Sequence, residues 1–165
     1  MSFGEHGSRL RRRVLQRLPT TIWMWKTLPL AAFAGLRVAQ LDDDACTVRL
    51  PGGWRTQNPF RSTYFAAQAM AAEMSTGAPA MVLLADAPAS VAMLVVELRV
   101  AYSKKIVGPA TFRFEGVAAM RDAIGEAASS DEPVAFVARS VGRDAAGDLC
   151  AEFEVTWSFK RRSRT

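Results

Sequence analysis

The chain of 165 residues contains few of the side chains on which metal sites and most nucleophilic enzymes depend. It has one histidine and two cysteines. His6 lies near the start of the chain, and Cys46 and Cys150 belong to no Cys-x-x-Cys pair. A Ser-His-Asp triad, a Cys-His pair or a zinc site needs such residues clustered in the folded body. The sequence therefore predicts no metal, and we expect both cysteines to be buried, reduced thiols.

Nucleotide-binding loops and long apolar runs are also missing. Gly52-Gly53 lacks the flanking pattern of a phosphate loop or a dinucleotide fingerprint. The apolar run over residues 21–35 is interrupted by Lys26 and Pro29 and is shorter than the roughly 20 residues that span a bilayer. We therefore expect no transmembrane segment and no cleaved signal, and we predict a cytoplasmic protein.

The net charge of +5 is unevenly placed along the chain. With two basic runs set aside, 12 of the 21 basic residues remain against 16 acidic ones. We predict a basic N-terminal segment (1–20), a single domain (21–160) and a basic tail (161–165). Such basic runs are usually solvated ends of a chain, and contact with anionic membranes or nucleic acid is the alternative. The runs are Arg9, Arg11, Arg12, Arg13 and Arg17, and Lys160, Arg161, Arg162 and Arg164.

Local patterns predict a helix-rich first half. A basic helix capped by Ser8 should run to Leu18, and a tryptophan-rich helical piece over 22–33 should close at Gly35. A long helix follows over 61–75, with Asn58 and Pro59 as its cap and first residue and with Gly77 and Pro79 as its stop. We expect all four tryptophans to belong to the core.

Strands dominate the rest of the prediction. Short strands are indicated over 36–41 and 46–50, and a surface helix lies between Gly116 and Ser130. Residues 149–159 alternate strictly between apolar and polar side chains, which is typical of an antiparallel strand with one buried face. Residues 144–148 form the predicted hairpin turn before this last strand. A sheet of this kind offers the long helix a large apolar partner.

Residues 58–74, NPFRSTYFAAQAMAAEM, carry a family resemblance. They resemble the central-helix signature of the hotdog-fold thioesterase superfamily and, more narrowly, are similar to the domain of unknown function 4442 family. Residues 156–160 resemble that family's last strand. The resemblance covers nearly the whole chain, from Trp23 to Lys160. It implies an α+β hotdog fold, in which a curved antiparallel sheet of five to six strands wraps around a long central helix, with helices before it.

The resemblance also implies a function and an assembly. Relatives hydrolyse acyl-CoA or acyl-carrier thioesters at a subunit interface, as homodimers or dimers of dimers whose sheets lie side by side. Coenzyme A would enter only as part of the substrate, and no other cofactor and no nucleic-acid partner are expected. Carried over by position, Glu73 is the catalytic carboxylate, and Asn58 is the amide that orients water or donates to the thioester oxygen.

This sequence departs from the family pattern at the start of the helix. Tyr64, Phe65 and Ala66 stand where many active members have His-Gly, and a side chain there can block the backbone N–H that would approach the thioester oxygen. A non-catalytic fatty-acyl or lipid-binding protein is therefore the alternative function. The predicted substrate-binding residues are Tyr64, Phe65, Arg61, Lys104 and Lys105, the last three for coenzyme A phosphates.

Glu73 is notable on physical grounds alone. It shares one stripe of the predicted helix with small and apolar residues, including Ala69, Met70 and Gly77. Burial on such a stripe raises the pKa of a carboxyl group, which suits a general base that works near neutral pH. The alternative is a structural glutamate at the end of a helix.

Overall fold

Five helices and six strands make up the fold, which the computed structural model describes over residues 2–163. Arg164, from the predicted basic tail, lies outside the described residues. In chain order the elements are α1 (Glu5–Leu15), α2 (Arg17–Thr27), α3 (Pro29–Ala34), β1 (Arg37–Leu41), β2 (Cys46–Leu50), α4 (Phe65–Leu84), β3 (Val91–Tyr102), β4 (Ala110–Phe114), α5 (Val117–Ser129), β5 (Val134–Asp144) and β6 (Leu149–Arg161).

The six strands form one antiparallel sheet in the order β1-β2-β4-β5-β6-β3. The predicted hairpin joins β5 to β6, and Gly147 in its turn has φ 89°, a left-handed conformation that glycine adopts without strain. β3 is the edge strand beside β6. The curved sheet and the long helix against it confirm the predicted α+β hotdog architecture.

The central helix α4 packs on β2, β4 and β5. Most of its residues are buried, because alanines and other small side chains allow it to lie close to the sheet. Ser75 and Ser140 form a hydrogen bond of 2.8 Å between their hydroxyl oxygens, and Trp157 Nε1 donates to Thr76 Oγ1 at 2.9 Å. These bonds satisfy polar groups in the core, where an unpaired group would be costly.

The boundaries predicted for the central helix were wrong at both ends. α4 begins after Tyr64, so Asn58 is not its cap, and it continues through Gly77 and Pro79 to Leu84. A glycine and a proline disfavour a helix locally, but burial of the turns around them outweighs that preference.

The N-terminal helices also differ from the prediction. α1 starts after Gly4 rather than at Ser8 and ends before Gln16, whose backbone is extended. Pro19 lies in the first turn of α2, where a missing N–H breaks no helical bond. The tryptophan-rich piece divides at Leu28, before Pro29, and Gly35 closes α3 in the left-handed conformation as predicted.

Burial tests two further predictions. Cys46 and Cys150 are buried free thiols, as expected, and burial raises the pKa of Cys46 to about 12. Trp157 is a core residue, but Trp23, Trp25 and Trp54 are exposed. The prediction that every tryptophan belongs to the core was therefore wrong for those three.

Candidate functional site

Glu73 lies midway along α4, beside a cavity of about 270 Å³. The cavity separates α4 from the corner between α2 and α3, and the residues around Glu73 are Thr27, Leu28, Pro29, Leu30, Ala31, Met70 and Met74. Glu73 is exposed in the single chain, and no hydrogen bond to its carboxylate is formed within residues 2–163. Crowding by the surrounding protein atoms desolvates the carboxyl group and raises its pKa above the ordinary 4.5.

Gly77 leaves the room that the Glu73 carboxylate occupies. A Cβ atom on Gly77 would lie 2.9 Å from Glu73 Oε1 and 3.4 Å from ring atoms of Trp157. Trp157 is itself fixed by its bond to Thr76. The carboxylate therefore lies one helical turn from a glycine, in a position that a larger residue at 77 would disturb, and the Trp157 ring borders the same glycine.

A second cavity, of about 520 Å³, lies at the start of α4. Its wall combines the loop before the helix with the end of β3 and the residues that follow. Among the residues around it are Asn58, Tyr64, Phe65, Gln68, Tyr102, Lys104, Lys105 and Ile106. Four of the predicted substrate-binding residues, Tyr64, Phe65, Lys104 and Lys105, thus come together here.

Asn58 fixes the loop that forms this cavity. Its Oδ1 accepts from the backbone N–H groups of Phe60 and Ser62 at 3.0 and 3.1 Å, and its Nδ2 donates to Ser62 Oγ at 3.0 Å. Both polar atoms of the amide thus have partners inside the loop. Asn58 therefore positions this loop, while Nδ2 carries a second N–H group. Its direct contact with water or substrate stays a prediction.

The first turn of α4 opens towards the same cavity. Tyr64 N–H donates to Thr56 O at 2.7 Å, and no side chain of residues 2–163 caps the helix. Within the described part of the chain, the N–H groups of Phe65 and Ala66 have no acceptor. Such free donors at a helix N-terminus stabilise negative charge. The Phe65 side chain is 56% exposed and its ring lies 4.8 Å from that of Tyr64.

The basic residues near this cavity are not equivalent. Lys104 Nζ lies 2.7 Å from Asp144 Oδ2 and 2.6 Å from Asp148 Oδ2, and hydrogen bonds to these carboxylates raise its pKa. Two acidic groups therefore already balance its charge. Lys105 forms no ion pair among residues 2–163. Arg61, the third predicted phosphate ligand, has a left-handed backbone with φ 57° and is not among the residues around the cavity.

One chain does not bring Glu73 and Asn58 into a single centre. They border different cavities, and eight residues of helix separate Phe65 from Glu73, which is about 12 Å at 1.5 Å per residue. Gln68 was not predicted as a site residue. It is buried and donates to Thr63 O at 3.2 Å, and its Oε1 has no partner among residues 2–163. A polar residue among the alanines of the helix was the available signal.

No group of three potential metal ligands occurs within residues 2–163. Over the same residues, no helix is both long and apolar enough to cross a bilayer.

Comparison with known proteins agrees with this architecture. The family model described as a domain of unknown function (DUF4442) matches residues 20–159. A protein of Pseudomonas aeruginosa that is named a probable thioesterase is 17% identical, with a TM-score of 0.73 over 89% of this chain and 97% of that one. A thioesterase of Haemophilus influenzae is 12% identical, with a TM-score of 0.64 over 88% and 91%.

A mutant form of another Pseudomonas aeruginosa thioesterase is 15% identical, with a TM-score of 0.66 over 89% of this chain and 96% of that one. At identities this low, the structural matches show a shared fold alone. None of the curated proteins matches the chain.

Proposed function

The chain belongs to the DUF4442 family, and from that membership and the geometry of α4 we propose that it hydrolyses acyl-CoA or acyl-carrier thioesters. The observation that carries the proposal is Glu73, a carboxylate that has a raised pKa, has no partner among residues 2–163 and lies next to a small cavity with mainly apolar walls. Such a group can act as a general base on water or attack the thioester carbon directly. The fold shared with thioesterases supports the same reaction.

The reaction also needs donors for the oxygen of the tetrahedral intermediate. The free N–H groups of Phe65 and Ala66 at the start of α4 supply them. Lys105 beside the same cavity can meet a phosphate of coenzyme A, whereas Lys104 is held by Asp144 and Asp148. Asn58 contributes by holding the loop from which the helix starts.

The Glu73 carboxylate and the N–H donors at the start of α4 must approach the same thioester. A reacting carbonyl sits about 3 Å from its nucleophile and from its oxyanion donors, whereas roughly 12 Å of helix separates Glu73 from Phe65 within one chain. We therefore propose a catalytic centre shared between two copies, with Glu73 from one chain and the first turn of α4 from its partner.

The edge strand β3 is the surface through which the two copies would pair. Leu98, Val100 and Tyr102 lie opposite the buried residues Val155, Phe153 and Ala151 of β6 and share their face of the sheet. The three β3 side chains are nevertheless 40–45% exposed. An apolar edge strand of 12 residues with unpaired backbone groups is stabilised when a second strand covers it.

Release of free thiol from a panel of acyl-CoAs, short to long and aromatic, tests the proposal. The wild type should release thiol, and Glu73→Ala should lose about 10²–10⁴-fold in rate, the range for a general base. Circular dichroism confirms that the variant is folded. Equal rates for both proteins would remove Glu73 from the reaction.

A non-catalytic acyl-binding function is the second candidate. The exposed ring of Phe65, at the position where a glycine would leave the N–H open, is the observation that favours it. This function predicts that fatty acyl ligands raise the melting temperature while no acyl-CoA of the panel is hydrolysed. Hydrolysis by the wild type, or the absence of any shift in melting temperature, contradicts it.

A further inference from the structure

Three arginines from separate parts of the fold border one cavity of about 290 Å³. Arg17 is the first residue of α2, Arg37 is the first residue of β1, and Arg55 belongs to the loop after β2. Arg55 Nη2 lies 3.9 Å from the position that a Cβ atom on Gly35 would take. The guanidinium group of Arg55 therefore lies beside the end of α3, at the edge of the cavity. These three arginines are here called the arginine cluster.

No carboxylate among residues 2–163 pairs with the arginine cluster. None of its three side chains takes part in an ion pair or donates a hydrogen bond within that range. Between residues 6 and 72 the only acidic residues are Asp42, Asp43 and Asp44, in the turn that joins β1 to β2. That turn lies at the far end of β1 from Arg37, about 16 Å away at roughly 3.3 Å per residue, which exceeds the screening length in physiological salt.

Strand β2 adds a fourth positive charge next to the arginine cluster. Arg49 lies directly opposite Arg37 in the register of the two antiparallel strands, so both side chains are on the same face of the sheet. Like charges in such a cross-strand pair repel each other and destabilise the pairing. An anion that binds between these side chains in the folded chain offsets the repulsion and stabilises the fold.

The chemistry of this cavity favours a phosphoryl anion. Each guanidinium group offers a planar fork of N–H donors that matches two phosphate oxygens. Three such groups need a ligand with more than one negative charge, whereas a single carboxylate has one charge and occupies one fork. Met24, Leu36 and Pro51 form part of the remaining wall. Apolar neighbours lower the local dielectric constant, which strengthens the contact between a guanidinium group and an anion.

The cavity is separate from the site proposed for thioester hydrolysis. Residues 27–31 border the Glu73 cavity, whereas Ala32, Gly35 and Leu36 border this one, so the two cavities lie at opposite ends of α3. Strand β1 is also at the opposite edge of the sheet from β3, through which two copies would pair. Pairing through β3 therefore does not use the edge of the sheet to which the arginine cluster belongs.

We propose that the arginine cluster is a binding site for phosphoryl anions with two or more negative charges, of the diphosphate or nucleotide class. Arg17, Arg37 and Arg55 bind the phosphate oxygens, and Arg49 adds to the attractive potential. A free diphosphate and the phosphates of coenzyme A share this chemistry, and the experiment distinguishes these two sources. Binding requires no hydrolysis of a thioester, so it is tested separately from the proposed function.

Isothermal titration calorimetry of the full chain with pyrophosphate tests this proposal. We expect a single site per chain, with an affinity that falls as salt is added, because salt screens exposed charges. Arg55→Gln should weaken binding by roughly tenfold or more, the loss expected for a charged hydrogen bond. Arg55→Lys retains the charge but lacks the planar fork, so it should weaken binding less than Arg55→Gln does.

Removing the whole cluster gives the strongest effect. Arg17→Gln/Arg37→Gln/Arg55→Gln should not bind pyrophosphate. Its melting temperature without ligand should be no lower than that of the wild type, because the change removes charges that repel one another. Pyrophosphate should raise the melting temperature of the wild type alone.

A matched control removes the same charge elsewhere. Arg12→Gln/Lys26→Gln/Lys105→Gln replaces three exposed cations outside this cavity, including the lysine near the start of α4, and should bind pyrophosphate as the wild type does. Titration with free coenzyme A identifies the source of the anion. Tighter binding than that of pyrophosphate, lost in the triple arginine variant, assigns the site to the phosphates of coenzyme A, and equal binding assigns it to a separate phosphoryl ligand.

Three results would overturn the proposal. They are absence of pyrophosphate binding by the wild type, unchanged affinity in the triple arginine variant, and an equal loss of affinity in the control. Citrate provides a further test because it has several negative charges but no phosphoryl group. Citrate that binds as tightly as pyrophosphate would also contradict a phosphoryl site.

Discussion

At the scale of single residues, Glu73 and Gly77 form the unit on which the proposed chemistry depends. The carboxylate is crowded enough to have a raised pKa but retains access to solvent and to a cavity. Gly77 leaves space for its Oε1, one turn further along the helix. A general base must be deprotonated at the working pH and must lie close to the reacting group. These two requirements can be tested separately.

The raised pKa of Glu73 predicts the acid limb of the pH–rate profile. The carboxylate is the active form, so kcat/KM should fall as the pH decreases through a pKa above the ordinary 4.5. Thiol release measured across pH, with a substrate that does not titrate in this range, gives this pKa. A limb at or below 4.5 would contradict the role of Glu73.

The pH dependence of folding stability provides an independent test of the raised pKa of Glu73. A raised pKa means that the folded protein binds this proton more tightly than the unfolded chain does. The resulting stability is fully present below pH 4.5 and is lost as the pH rises through the folded-state pKa. Glu73→Gln removes this dependence, so its melting temperature relative to the wild type should rise with pH across that window.

Gly77→Ala should separate activity from stability. A methyl group 2.9 Å from Glu73 Oε1 displaces the flexible carboxylate, so kcat should fall severalfold. Alanine favours a helix interior over glycine by up to about 1 kcal/mol, so stability should not fall with it. Kinetics and thermal unfolding of the one variant measure both effects. A parallel loss of activity and stability would indicate general disruption instead.

At the scale of secondary structure elements, α1 is attached to the end of the central helix through a glycine. Gly7 N–H donates to Asp86 Oδ1 at 2.9 Å, and a Cβ on Gly7 would lie 2.1 Å from Asp86 Oδ2 and 2.9 Å from the Val82 carbonyl oxygen. A carboxylate from another element thus binds the first turn of α1, where free N–H groups favour negative charge.

Gly7→Ala should destabilise the protein by about 1–3 kcal/mol, because α1 must shift away from Asp86. Gly125→Ala is the matched control: this helical glycine of α5 is exposed and has no atom within 4 Å of an added Cβ. That change should stabilise by about 0.5–1 kcal/mol. Chemical denaturation measures both, and equal effects of the two changes would contradict this attachment of α1.

The elements that could be predicted from the sequence are those with a strong local pattern. The alternation over 149–159, the glycine turn at Gly147 and the left-handed cap at Gly35 all describe short-range geometry. The ends of α4 depend on burial against the sheet, which overrides Pro79. Phe60 N–H, which donates to Asn58 Oδ1, forms an Asx turn of the kind that asparagine favours locally. The bonds between Asn58 and Ser62 depend on the path of the loop.

The candidate site was predictable to a similar degree. Glu73 could be selected from its stripe and from the family resemblance, whereas the cavity beside it depends on where α2 and α3 pack. Lys104 was expected to be a phosphate ligand, but its two acidic partners lie 40 and 44 residues further along the chain. Contacts over such distances arise from the topology of the strands.

At the scale of the whole molecule, the exposed face of β3 predicts an assembly. Val100→Asp places a charge on the apolar face of this edge strand and should convert a dimer into monomers. Val137→Asp is the control, since that valine is exposed on β5. Light scattering after size exclusion measures both masses. An unchanged mass for Val100→Asp, or a wild type that is already monomeric, would contradict pairing through β3.

The proposal that two chains share one catalytic centre can be tested with two inactive variants. Glu73→Gln removes the carboxylate. Phe65→Pro removes an N–H at the first position of α4, where proline fits because Tyr64 before it has an extended backbone. Phe65→Ala, which retains the N–H, is its control. Each of the first two variants should be inactive alone.

Thiol release by a mixture of these two variants, unfolded and refolded together, tests the central claim most directly. A hybrid dimer contains one intact site, formed by Glu73 of one chain and the first turn of α4 of the other. Random pairing of equal amounts should therefore restore about a quarter of the wild-type rate. A mixture as inactive as its components, beside an active wild type, would contradict the shared centre.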